Sequence, residues 1–126
     1  MNNISDQISV SVATAFLPEH SSEKEHQFVF TYTITITNNS DTTVKLLSRY
    51  WLITDANGDT STVVGEGVVG EQPIIEPNNS YTYSSGSVFK TPVGTMQGHY
   101  QMLDNNNTPI KVDIPVFRLS TPNILN

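Results

Sequence analysis

The chain has 126 residues and a mass of 13.9 kDa, the size of one domain, and it contains no cysteine, which excludes disulfides, thiolate metal sites and a cysteine nucleophile. Six Lys and Arg against twelve Asp and Glu give a net charge of −6, a surface that repels phosphate backbones and argues against direct nucleic-acid binding. The longest apolar run, Tyr50-Trp51-Leu52-Ile53, is far too short to span a bilayer, and Met1 to Val10 lacks the basic and apolar stretches of a signal peptide, so a cytoplasmic chain is expected.

Val, Ile and Thr together supply 37 residues and Ala only 3, a bias toward branching at Cβ that favours strands over helices. Ile8, Val10, Val12 and Phe16 predict a first strand closed by Pro18, followed by a polar loop from Pro18 to His26. From Phe28 the apolar Phe28, Phe30, Tyr32, Ile34 and Ile36 alternate with Val29, Thr31, Thr33, Thr35 and Thr37. That period of two puts one apolar stripe on one face and threonine on the other. A third strand spans Val44 to Thr54, with Trp51 as the core anchor. Asn57-Gly58 predicts a type I′ hairpin returning through Ser61 to Val69.

Ile74-Ile75 lies between Pro73 and Pro77 and can form only a short or edge strand. Tyr81, Tyr83 and Ser85 alternate in the next strand, and Pro92-Val93-Gly94 interrupts it. Met96, Gly98, Tyr100 and Met102 alternate with Gln97, His99 and Gln101. After the polar turn Asp104 to Asn107, Ile110, Val112 and Ile114 form a last strand ending near Pro115. Seven or eight short strands with regular turn signals predict an all-β, two-sheet antiparallel sandwich of immunoglobulin-like architecture, one domain over residues 1–126.

Gly65-x-Gly67-x-x-Gly70 matches a dinucleotide fingerprint by its letters. That fingerprint needs a helix whose N-terminus meets the pyrophosphate, and here Glu71-Gln72-Pro73 follows. Two readings remain: a nest of N–H groups that holds a small anion at Gly65, Gly67 and Gly70, or glycines serving bulges and positive φ between strands. Asp55, Asn57, Asp59 and Glu66 share the spacing of a calcium loop but have Thr60 where glycine is needed, so the hairpin explains them better.

His20 and His26, with Glu19, Glu23 and Glu25, could offer a weak divalent-metal site, though a six-residue separation in a polar loop is not a rigid spacing. No metal site and no cofactor are expected. Ser84-Ser85-Gly86-Ser87 lacks the nucleophile elbow, and His99 falls on the polar face of its strand without a partner spacing, so no enzyme is expected. Arg49 and Arg118, the only arginines, each adjoin aromatics, which suits either a guanidinium packed on the sandwich surface or a protein-contact hot spot. Tyr81 and Tyr83 lie in a stretch, Tyr81 to Phe89, without a charge before Lys90. With Arg49 and Arg118 they form the expected interaction surface, for a protein partner or a second copy of the chain.

Four segments in order, Arg49-Tyr50-Trp51-Leu52-Ile53-Thr54, Gly65-Glu66-Gly67-Val68-Val69-Gly70, Gly94-Thr95-Met96-Gln97-Gly98-His99-Tyr100 and Ile114-Pro115-Val116-Phe117-Arg118-Leu119, resemble the bacterial ApaG family. The resemblance runs from about Ile8 to Leu119. One departure is Pro77-Asn78 in place of Pro-Gly, a turn position where Asn tolerates positive φ. The resemblance implies a fibronectin type III-like sandwich, an association with cobalt and magnesium resistance, and an adaptor role, because the same domain is appended to F-box proteins and a polymerase-interacting protein. It implies no catalytic residue.

Overall fold

Eight strands form within residues 4–122, which the computed structural model describes: β1 (Ile8–Phe16), β2 (Phe28–Asn38), β3 (Val44–Asp55), β4 (Thr60–Glu66), β5 (Ile74–Ile75), β6 (Ser80–Phe89), β7 (Val93–Leu103) and β8 (Pro109–Ser120). The ends of the expected domain, residues 1–3 and 123–126, lie outside the described residues. Short 3₁₀ turns at Ile4–Gln7 and Pro18–His20 are the only helical elements among the described residues. Sheet order is β1-β2-β6 in one layer and β4-β3-β7-β8 in the other, with β5 paired to β3 beside β4, and every pairing is antiparallel. The two layers form a fibronectin type III-like sandwich.

The alternation in β2 translates directly into burial. Phe28, Phe30, Tyr32, Ile34 and Ile36 all face the core, and Thr33, Thr35 and Thr37 on the outer face share hydroxyl hydrogen bonds with Ser84, Thr82 and Ser80 of β6. Against β2 pack Leu46 and Trp51 of β3, Met96, Tyr100 and Met102 of β7, and Val112, Ile114 and Leu119 of β8, all buried. Trp51 sits at the seam, edge-on to Tyr32 of the small sheet at 5.5 Å and to Phe117 of β8 at 5.8 Å. A side chain held by aromatic neighbours from both layers ties the sheets together.

Two expected boundaries and one expected turn type change. β4 ends at Glu66 rather than Val69, because Gly67 adopts φ +61° and turns the chain. β8 runs through Pro115 to Ser120. Pro115 is tolerated there because β8 is an edge strand and the register shifts between Met96 and Gly98, setting Pro115 and Val116 against Gln97 in a bulge. The Asn57-Gly58 hairpin forms, but not as a type I′ turn. Gly58 N–H donates to Asp55 O, Gly58 takes φ +86°, and the Asp55 carboxylate accepts from the N–H groups of Asn57 and Asp59. This is a three-residue loop with the glycine in the left-handed position. Asp104 to Thr108 repeats the arrangement with Asn107 at φ +59°. Asn78 takes φ +67°, the turn conformation for which Asn substitutes for Gly.

Candidate functional site

One rung of the larger sheet gathers several of the residues singled out above. Tyr100 of β7, Arg49 of β3 and Gly65 of β4 are register partners, so their inner faces align. The Arg49 guanidinium lies flat over Gly65, where an added Cβ would come within 2.8 Å of Nη1 and Nη2. Nη1 donates to the carbonyls of Glu66 at 3.0 Å and Gly67 at 2.9 Å. Arg49 therefore clamps the end of β4 to β3, and Gly65 leaves room for it.

Across the sandwich, the Tyr83 hydroxyl meets the Tyr100 hydroxyl at 2.5 Å. Tyr83 is only 7% exposed and Tyr100 fully buried, which removes Tyr83 from the expected interaction surface. Its strand position points inward, and its one polar atom is satisfied by a tyrosine from the other sheet. Burial holds both phenols protonated, pushing Tyr83 up to about 12 and Tyr100 higher still, while the Arg49 charge opposes the shift at each. Tyr81, half-buried on the same face of β6, is raised by burial and then by the Glu71 carboxylate beside it. Neither Tyr100 nor Glu71 was marked as part of this corner by any signal in the sequence, because strand pairing brings Tyr100 to Arg49 and the turn after β4 brings Glu71 to Tyr81.

Between β4 and β5 the chain from Gly67 to Pro73 docks onto the bulge of β3 at Leu47. The Leu47 carbonyl accepts from Gly67 N–H at 2.7 Å and from Gln72 Nε2 at 3.0 Å. Val68 and Glu71 exchange reciprocal N–H to carbonyl bonds around Val69, at φ +43°, and Gly70, at φ +82°. Positive φ at both central residues is the type I′ pattern. The N–H groups of Gly67, Val68 and Glu71 are thus spent within the chain; Gly67 and Gly70 supply positive φ, and Gly65 leaves room for Arg49.

The remaining candidates lie apart. Arg118 is exposed on β8, paired with Thr95, five rungs along β7 from Tyr100. His99 is half-buried on the outer face of the larger sheet, where it stacks on Tyr50 at 5.1 Å. His20 and His26 belong to the loop between β1 and β2, and among the described residues no three or more His, Cys, Asp or Glu converge as metal ligands. No helix among the described residues is long and apolar enough to cross a membrane.

The family model for the ApaG domain matches residues 18–104. Protein ApaG of Proteus mirabilis is 49% identical over 122 residues, covering 97% of this chain and 98% of that protein. Protein ApaG of Escherichia coli O1:K1 is 48% identical over the same coverage. Among solved structures, an X-ray structure from the Northeast Structural Genomics Consortium superposes with a TM-score of 0.93 at 45% identity, covering 98% of this chain and 93% of that one. The putative ApaA protein from Bordetella pertussis does so with a TM-score of 0.90 at 39% identity, covering 93% and 95%. The chain belongs to the ApaG family.

Proposed function

We propose that this chain is a non-enzymatic protein-interaction module that works in the cytoplasm by lending a sheet edge to another protein or to a second copy of itself. The observation that carries this reading is β6. It stands at the free edge of the three-stranded sheet, and its ten residues, Ser80–Phe89, include no charge and no proline. Edge strands are ordinarily guarded by lysine, proline or a bulge, as β8 is by Lys111, Arg118 and the bulge at Pro115. β6 has none of these, and its row of unpaired N–H and C=O groups is open to strand addition. In this reading the cobalt and magnesium association of the family is indirect, a downstream effect of a partner rather than of ion binding by this chain.

Placing lysine at Thr82 or Ser84, both exposed on β6, tests the proposal. Each variant is expected to keep its far-ultraviolet circular dichroism while losing self-association in sedimentation and partner capture in pull-downs. Unchanged association with the fold intact excludes β6 as the contact surface.

A further inference from the structure

Six large aliphatic side chains are exposed among the described residues, and four of them, Val63, Val64, Val69 and Ile74, lie on the stretch that runs along one edge of β3. Val64 is register partner of Tyr50 and Ile74 of Lys45, so these two are about 16 Å apart along β3, with Val69 on the turn between them. Val64, Val69 and Ile74 are 73%, 58% and 65% exposed, and each is followed two residues later by an exposed glutamate: Glu66, Glu71 and Glu76. From Thr60 to Glu76 there is no basic residue. The Arg49 guanidinium beneath is occupied by the carbonyls of Glu66 and Gly67.

Val69 is held there against two physical preferences. A β-branched residue at φ +43° is sterically strained in a turn position that Asn, Asp or Gly fills without difficulty. It is not a core residue, since more than half of it meets solvent. Strain retained for an exposed aliphatic group points to a contact outside the chain.

We propose that this rim, Val64, Val69 and Ile74 with Glu66, Glu71 and Glu76, docks an extended segment of a partner protein that carries aliphatic and basic residues in turn on one face, at every second position. The aliphatic side chains cover the three exposed ones, and the basic side chains meet the carboxylates between them. β4 offers the backbone template, because it is an edge strand of the larger sheet and Thr60 to Gly65 carries no charge. The inference rests on the reading that this chain acts on proteins but uses a different edge from β6.

The test uses the full chain and a fluorescent ten-residue peptide with valine and lysine in turn at its odd positions and serine between them, followed by anisotropy at moderate salt. Binding is expected, and it is expected to weaken about tenfold in Val69→Asn and in the Val64→Ser/Ile74→Ser double variant, the loss typical of a truncated hot spot. Val69→Asn is also expected to raise Tm by a few degrees, so weaker binding cannot be ascribed to a damaged fold. The same peptide with serine in place of each valine, if it binds as well, would show only attraction to the net charge and overturn the proposal. So would absence of binding, or a Val69→Asn protein that binds as the parent does. Binding abolished by Thr82→Lys but untouched by the rim variants would overturn the rim while leaving the interaction reading intact on β6.

Discussion

Replacing Trp51 by alanine is expected to lower the stability of the fold by about 3–5 kcal/mol, the range for large aromatics removed from a packed core. Trp51 is 3% exposed and stands mid-strand in β3. Its ring partners, Tyr32 of β2 and Phe117 of β8, belong to opposite layers, so the deletion opens a void at the seam rather than at a rim that could collapse. Tyr32 and Phe117 also touch each other at 5.8 Å, which limits how far either ring can swing to fill the space. Urea unfolding followed by circular dichroism measures the effect, with the midpoint falling and the m-value unchanged. A loss below about 1 kcal/mol would show that the two sheets are not held at this residue.

How much of this was legible in the sequence depended on whether a signal was local. The threonine–aromatic alternation of β2 carried its own phase, because no bulge interrupts it and its period of two reads straight onto the two faces. In β3 the same counting slips, since the extra residue at Leu47 lets Leu46 and Arg49, three apart, both face inward. Arg49 therefore looked like a surface residue beside aromatics when it is a clamp on β4. The glycine-rich string was readable as backbone chemistry but not as a type I′ turn with a strained valine, because Val-Gly is not a turn signature. Pro115 looked like a strand end, since a missing N–H disqualifies only a central strand and edge status is settled by pairing alone. The alternation of Tyr81, Tyr83 and Ser85 did not say which face was inward, so Tyr83 was expected on the interaction surface, and its partner Tyr100 lies seventeen residues away on another sheet.

Raising the pH through the tyrosine range is expected to unfold the protein before Tyr83 and Tyr100 ionise in the native state. Their hydroxyls are bonded to each other between the sheets, and desolvation is the largest cause of both upward shifts. Below about pH 10 both phenols are protonated in the folded and unfolded chain alike, and their contribution to stability is fully present. Between 10 and about 12 the unfolded chain releases the Tyr83 proton and the folded chain does not, so stability falls as pH rises, by on the order of 3 kcal/mol for this residue once its folded-state pKa is passed. Tyr100 adds to the loss in the same direction. In a titration followed by phenolate absorbance, the native chain near pH 11 lacks the signal of these two tyrosines and gains it together with loss of the strand dichroism. Tyr100→Phe keeps the ring but strips Tyr83 of its partner, and is expected to destabilise by about 1–3 kcal/mol at neutral pH, the penalty of an unsatisfied buried hydroxyl. The Tyr83→Phe/Tyr100→Phe pair leaves no hydroxyl to satisfy or to ionise, so its stability should be restored at neutral pH and should decline less between pH 10 and 12 than that of the parent. Full phenolate absorbance from a chain still folded near pH 11 would show that water reaches the pair and that the sandwich is open at this corner.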